Sequence, residues 1–513
     1  MKRLLAVGVI PAVVGGLLAG AVPASASTLN TTNIPAHYAG QILDWHPCAA
    51  EELLTLPPGT DISGLECATY RTPRDWDRAG ERQDLTIAVS RLKSTGPSTA
   101  SLLTNPGGPG GPGRWQPTMF RGQDKLREHQ DIIGIDVRGT GKSTNVTCRG
   151  AADVIRQLDP RDRDPRNLNQ ILANAEHVAK SCQTAGGELG PLITTYQTIK
   201  DFDLLRALLG REKINWVGYS GGTWLGAHYA QQFPQRTGRF VLDSSTEFTT
   251  TWQNSFNRQP VGFERRWRQD FLPWMARYDA KYHFGTSGEE VRQTYERVRY
   301  ALSRNPIDGN GPMQLEYSLV YMLYKKVTFP ALADLLVKVR AATENGALEQ
   351  AKADARAAVK DVKDAGDASD AQDATFWNTL CGEGRFAGTR ESLIRDSQRN
   401  LDRGLLISGG GVLNAAVCLF WDKEPRPLPK LDGKGVPPVL IVQSEHDPAT
   451  PIEGAKRAHA AFANSRMLTV TGEGDHGLYA DGNAAVDKIV NAYLVDGVVP
   501  ADQSVPGMPL PVP

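Results

Sequence analysis

From about residue 85 the chain alternates short apolar runs with amphipathic stretches. Leu85-Thr-Ile-Ala-Val-Ser90, Ala100-Ser-Leu-Leu-Thr-Asn105 and Asp131-Ile-Ile-Gly-Ile-Asp136 read as strands, each bounded by turn residues. Ile199, Phe202, Leu205, Leu208 and Leu209 share one face of a helix predicted from Thr198 to Leu209. Thr198 and Asp201 resemble its capping box, and Gly210 is its stop. Ile214-Asn-Trp-Val-Gly218 and Arg239-Phe-Val-Leu-Asp243 are two further strands. Apolar strands alternating with helices predict an α/β fold, a parallel sheet covered on both faces.

Past residue 246 the texture changes. Residues 250–430 carry helical periodicity, patches rich in tryptophan (Trp252, Trp267, Trp274) and an Ala/Asp/Lys-rich stretch from Glu349 to Ala374, with no run that reads as a buried parallel strand. Pro437-Pro-Val-Leu-Ile-Val-Gln443 then restores a buried strand, and Met467-Leu-Thr-Val470 adds another. The pattern divides the chain into a core over 40–246, a mainly helical insertion over 247–436, a second core part over 437–500, and an extended Pro-rich tail over 501–513. There are no internal repeats.

The N-terminus adds an address. Met1-Lys-Arg3, an apolar run from Leu4 to Val22 and the small-x-small pattern Ala24-Ser-Ala26 read as a signal peptide over 1–26, with 27–39 as a pro-segment or N-terminal arm. No other stretch approaches the ~18 apolar residues of a membrane span, so secretion without stable membrane association is expected. An oxidising destination makes Cys48, Cys67, Cys148, Cys182, Cys381 and Cys418 candidates for three disulfides. The spacing lacks the C-x-x-C of zinc sites, and no metal is expected. Of the 15 possible pairings the sequential one, 48–67, 148–182 and 381–418, is favoured because each pair falls within one region. Lys+Arg and Asp+Glu both number 57, with no basic run, which argues against nucleic acid as a partner.

The chemistry lies on three loops. Gly218-Tyr-Ser-Gly-Gly222 follows a strand and precedes the helical Thr223–Ala230, the setting in which G-x-S-x-G lifts a nucleophile, Ser220, onto a strained turn. A nucleophilic serine needs a base oriented by an acid. Asp447 follows the returning strand, with Glu445 as its alternative, and His476 lies on a loop after the last strand. Asp475 reads as a solvated loop residue, and His459 as a helical one. Asn105-Pro-Gly-Gly-Pro-Gly-Gly-Pro-Gly113 offers a glycine-lined turn for an oxyanion hole, completed by the N–H of Gly221. Gly141-Lys142-Ser143 is no phosphate loop, because the required upstream glycine position is Asp136. No cofactor is called for.

Asn-Pro-Gly-Gly-Pro-Gly (105–110), Asp-x-Arg-Gly-x-Gly-x-Ser (136–143), Gly-x-Ser-x-Gly-Thr (218–223) and Val-Leu-Ile-Val-Gln-Ser-Glu-x-Asp (439–447) together closely resemble the secreted bacterial tripeptidyl aminopeptidases. These are α/β-hydrolase serine peptidases related to the prolyl aminopeptidases, and the resemblance spans essentially the whole mature chain. It implies a doubly wound, mostly parallel sheet with a large helical cap. It also implies release of short peptides, typically tripeptides, from free N-termini of peptides or proteins. Ser220, Asp447 and His476 match the triad, and Gly108 with Gly221 the oxyanion hole. The elbow reads Tyr-Ser-Gly-Gly where relatives commonly have Ser-Tyr-Gly, which changes the wall beside the nucleophile and leaves a preference for proline at P1, and the release of tetrapeptides, open. An exopeptidase must hold a substrate ammonium, for which Glu247 and Glu383 are the candidates. A monomer is expected. The rival reading is a secreted carboxylesterase or lipase with the same triad, whose usual oxyanion loop is His-Gly-Gly-Gly.

Overall fold

The computed structural model describes residues 34–307, 309–344 and 370–513. The leader expected over 1–26, the start of the 27–39 segment and most of the Ala/Asp/Lys-rich stretch lie outside the described residues. Among the described residues ten strands form one sheet: β1 (His46–Pro47), β2 (Leu65–Thr72), β3 (Leu85–Leu92), β4 (Ala100–Asn105), β5 (Gln130–Asp136), β6 (Ile214–Tyr219), β7 (Thr237–Asp243), β8 (Val439–Ser444), β9 (Ser465–Thr471) and β10 (Gln503–Pro506). Their order is β1-β2-β3-β5-β4-β6-β7-β8-β9-β10. The first three run antiparallel to their neighbours, and every pairing from β5 to β10 is parallel.

Period-two alternation divides the central strands between two apolar layers. Trp216, Phe240, Leu242 and Ile441 enter one layer with the helices Pro165–Gly186, Thr195–Leu208, Gly221–Gln232 and Ile452–Ala461. Val217, Val241, Leu440 and Val442 enter the other, against Phe120, Tyr479, Val486 and Leu494. Strands covered on both faces are apolar at nearly every position, which is why β6 and β8 read as unbroken runs. This is the α/β-hydrolase fold. Between β7 and β8 the described residues form helices, and residues 263–342 have an apolar cluster of their own, built on Trp267, Phe271, Trp274, Tyr295 and Phe329. The stretch from Ala374 onward, including Trp377, Leu413 and Val417, instead packs into the layer shared with the sheet.

Two sequence expectations change, the start of one helix and its cap. The helix expected from Thr198 begins at Thr195, and Thr194 is the residue whose side chain accepts from Gln197 N. Thr198 and Asp201 are therefore interior, and Asp201 is a buried ion-pair partner of Arg138 rather than part of a cap. Within the extended tail, β10 adds to β9 as an edge strand. β2 went unread because its alternation is broken by Cys67 and Ala68, both buried. The Ala36–Ala39 turn docks on the core, where Tyr38 is buried and donates to Asp84 Oδ1 at 2.5 Å. The three disulfides are Cys48–Cys67, Cys148–Cys182 and Cys381–Cys418. No helix among the described residues is long and apolar enough to cross a membrane.

Candidate active site

β4 and β6 are neighbours in the sheet, with Asn105 paired to Gly218, yet β5 lies on the far side of β4 and β7 on the far side of β6. The loops leaving their C-terminal ends diverge there and open a crevice, the usual binding position in doubly wound sheets. Ser220 stands at that point. Its backbone, φ 54° and ψ −123°, lies in a region that costs an L-residue about 1–3 kcal/mol, and its N–H is held by the Asp243 carbonyl at 3.0 Å. A Cβ at Gly218 would fall 2.3 Å from the Gly222 carbonyl oxygen, so the tight turn requires glycine there. Thr223 Oγ donates to the Ser220 carbonyl at 2.6 Å, and Ser220 sits at the N-cap position of the helix Gly221–Gln232 with its side chain not engaged in a cap bond. The Thr223 N–H bonds back to the Ser220 carbonyl at 2.9 Å, and the start of a helix at this point favours negative charge.

The glycine-proline loop after β4 lies directly against this elbow, with the Gly108 backbone in contact with Gly221. Sequence reading missed the brace that holds it. Asp136 Oδ1 accepts the N–H groups of Gly113 (2.9 Å) and Arg114 (3.2 Å), its Oδ2 accepts that of Lys142 (2.9 Å), and Thr140 Oγ donates to the Gly110 carbonyl at 2.7 Å. The 136–143 motif is thus a clamp on the candidate oxyanion loop. Only the resemblance singled it out.

Asp447 and His476 meet as expected: His476 Nδ1 lies 2.9 Å and 3.0 Å from the two Asp447 oxygens. Asp447 is fully buried, and its Oδ1 also accepts from Ala449 N (3.0 Å) and Thr450 N (2.8 Å). Thr450 Oγ lies 3.4 Å from His476 Nδ1. The buried His476 Nε2 has no hydrogen-bond partner among the described residues, leaving it available to a reacting group. Glu445 is not at the imidazole, since its carboxyl takes the Gly472 N–H at 2.9 Å. Asp475 is not solvated as its loop position suggested. It is buried and ion-paired to Arg266, because a cap segment covers that loop. The His476 N–H donates to the Tyr324 carbonyl at 2.9 Å, and the Tyr324 ring meets the imidazole edge-on at 5.1 Å.

Beneath the loop, the fully buried Asp243 accepts from Leu478 N (3.0 Å) and Tyr479 N (2.7 Å). Burial pushes its carboxyl up to about 6 despite those donors. Nothing in the sequence marked it beyond its place at a strand end.

The two candidate carboxylates differ. Glu247 is held by Arg457 through two bonds, 2.9 Å and 2.8 Å, and by Arg258 at 2.8 Å. Glu383 accepts from Thr195 N and, at 2.8 Å, from Trp252 Nε1, and no Lys or Arg among the described residues pairs with it. Burial pushes its carboxyl up to about 7. It lines a cavity of about 420 Å³ with Trp224, His228, Phe248 and Trp252. The two indoles stack with centroids 3.9 Å apart. Trp252 also borders a small cavity of about 20 Å³ that touches Pro109, Gly110 and Gly221. Trp267 and Trp274, by contrast, belong to the insertion's own core. No group of three or more His, Cys, Asp or Glu side chains among the described residues is placed to hold a metal ion.

Comparison with known proteins fits this geometry. Residues 408–506 match a family model described as TAP-like protein. The chain is 31% identical over 471 residues to a tripeptidyl aminopeptidase of Streptomyces lividans, covering 89% of this chain and 84% of the relative. It is 27% identical over 493 residues to the serine protease Hip1 of Mycobacterium bovis, with 90% of each chain covered. It is 28% identical over 512 residues to a carboxylesterase B of Mycobacterium tuberculosis, covering 94% of this chain and 95% of that one.

Proposed function

The chain belongs to the tripeptidyl aminopeptidase family of α/β-hydrolases, and from that membership we propose that it is a secreted serine exopeptidase that releases tripeptides from free N-termini. The observation that carries the reading is the Asp447–His476 pair, bonded at 2.9–3.0 Å with Nε2 unpartnered, on the same sheet edge as a serine at φ 54°. In this mechanism His476 Nε2 takes the Ser220 proton as Oγ attacks the carbonyl of the third residue. Asp447 fixes the tautomer and stabilises the imidazolium, and the N–H groups of Gly108 and Gly221 hold the oxyanion. The imidazolium returns its proton to the departing amine, an acyl-enzyme remains, and water releases the tripeptide.

Glu383 is our choice for the substrate ammonium. It is a buried carboxylate with neutral donors and, among the described residues, no cation, so an incoming ammonium would supply the missing charge. An ammonium at Glu247 would have to displace two arginines. The insertion over 247–436 acts as the cap that carries Glu383. Proline at P1 and tetrapeptide release are refinements of the same site.

Hydrolysis of Ala-Ala-Pro-p-nitroanilide with a free and with a blocked amino end tests the reading. Cleavage of the free form only, lost in Ser220→Ala, is the expected result. Equal cleavage of both forms would remove the exopeptidase assignment. The second reading, an esterase, is favoured by the relative named carboxylesterase B. Turnover of p-nitrophenyl esters with neither peptide cleaved would select it.

A further inference from the structure

We infer that Arg266, in the helical insertion, is a positioning residue that aligns Asp447 with His476, an inference that rests on the triad proposed above. Arg266 is fully buried in a π-helical turn, Arg266–Phe271. Its Nη2 donates to Asp475 Oδ1 at 2.5 Å, its Nη1 to Asp270 Oδ2 at 2.7 Å and its Nε to the Leu323 carbonyl at 3.2 Å. The guanidinium lies 4.8 Å from the centre of the Phe329 ring. Asp475 is the residue before His476. The other oxygen of Asp270 lies 2.8 Å from His446 Nδ1, and His446 is the residue before Asp447. One Arg-Asp pair from the insertion therefore grips the chain neighbour of the acid and the chain neighbour of the base.

The two loops are also tied at the main chain. The His446 N–H donates to the Glu473 carbonyl at 2.8 Å, and Ser444 Oγ to the Asp475 carbonyl at 2.9 Å. On the far side of Asp475, the Lys326 N–H donates to the same Oδ1 at 2.7 Å, while Lys326 Nζ pairs with Glu473. The loop lies flat against the guanidinium: a Cβ at Gly474 would fall 2.1 Å from Arg266 Nη1 and 2.6 Å from Asp270 Oδ2. A base that must keep both carboxylate oxygens within 3.0 Å tolerates displacement of well under an ångström. Neither loop contains a helix or strand at this point, so its position is set by what grips it. Arginine suits the task because its rigid fork bonds two carboxylates and a carbonyl at once, which a lysine ammonium on a flexible stem does not reproduce. The insertion is on this account a working part of the acid–base pair as well as a cover for the substrate.

The test uses the full-length secreted protein and two readouts. One is steady-state hydrolysis of the free tripeptide p-nitroanilide. The other is the rate at which a fluorophosphonate labels Ser220, which reports activation of the serine whatever the natural substrate is. Arg266→Lys and the isosteric Asp475→Asn are each expected to lower kcat about 10- to 100-fold with KM changed by less than about threefold, and to slow labelling by the same factor as kcat. The double variant is expected to lose no more than the worse single one. Arg299→Lys is the control. It disturbs another buried ionic contact of the insertion, in which Arg299 pairs with Asp159 of the core and Glu316 of the insertion, and which touches neither loop. It should lower the unfolding temperature and leave labelling intact. Unchanged labelling in folded Arg266→Lys and Asp475→Asn would overturn the inference, as would equal slowing in Arg299→Lys. Failure of wild type to cleave the tripeptide while labelling follows the expected order would instead count against the peptidase reading alone.

Discussion

A methyl group on Gly107 would sit 2.5 Å from the Tyr219 carbonyl oxygen, 2.6 Å from the Gly221 nitrogen and 2.9 Å from the Ser220 Cβ. Its φ of +98° is also one that L side chains rarely adopt. Gly107→Ala therefore has to push the oxyanion loop off the elbow, while the distant sheet is untouched. Kinetics with peptide and ester substrates should show a loss of at least about 10²-fold in kcat for both, the cost of a misplaced oxyanion donor, with near-native far-UV circular dichroism. Retention of full ester turnover would mean that the loop does not serve the oxyanion. At Asp447 the same scale predicts a different signature. Asp447→Asn keeps the shape but fixes the wrong imidazole tautomer, so kcat should fall by about 10⁴-fold. The variant keeps an oxygen to accept from Ala449 and Thr450 N–H, so its unfolding temperature should move little. A fall of less than tenfold would return the orienting role to another carboxylate.

Elements were legible where one physical rule dominated. β6 and β8 are buried on both faces and announced themselves as continuous apolar runs, and the serine turn between β6 and its helix carried fixed glycines. The helix start at Thr195 was misread because two threonines four residues apart, Thr194 and Thr198, offer similar caps, and tertiary contacts at Asp201 chose between them. Arg266, Tyr324 and Asp243 escaped notice because their roles come from elements far apart in sequence meeting at one loop. Glu383 lay between. Its type suggested a role, but its environment is set by two elements it joins: it accepts the first N–H of the helix Thr195–Leu208 and the Trp252 indole of the helix Trp252–Phe256. Burial there raises its carboxyl from 4.5 to about 7. A carboxyl raised on folding adds stability that is complete below pH 4.5 and is lost as pH rises through about 7. The unfolding temperature of wild type relative to Glu383→Gln should thus decline from pH 5 to pH 8, a difference that cancels the opposite contribution of the buried His228, whose imidazole burial holds down at about 3. Asp243, raised to about 6 by burial, supplies a residual slope of the same sign at the lower end. An identical slope in wild type and Glu383→Gln would show that Glu383 is ionised throughout.

Across the whole molecule, the disulfides divide into those near the site and those remote from it. Cys48–Cys67 ties β1 to β2 at the antiparallel edge of the sheet. Cys381–Cys418 joins the helix Asp370–Gly382 to the 410–420 segment. That helix rests on the oxyanion loop through Thr375 against Gly110, and Glu383 follows directly after it. The closed loops are of 19 and 37 residues, so chain entropy gives both bonds a similar effect, about 3–4 kcal/mol each. Stability alone would not tell them apart; function should. Replacing Cys48 and Cys67 together by alanine is expected to lower the guanidinium midpoint and leave kcat/KM for the tripeptide substrate unchanged in the folded protein. Replacing Cys381 and Cys418 should lower the midpoint similarly and also raise KM for the free-amine substrate several-fold, because the helix that carries Glu383 loses its tether. Small esters, which make no demand on Glu383, should respond weakly. Equal kinetic effects from the two pairs would indicate that the 381–418 bond serves only stability and that the ammonium is read elsewhere in the cap.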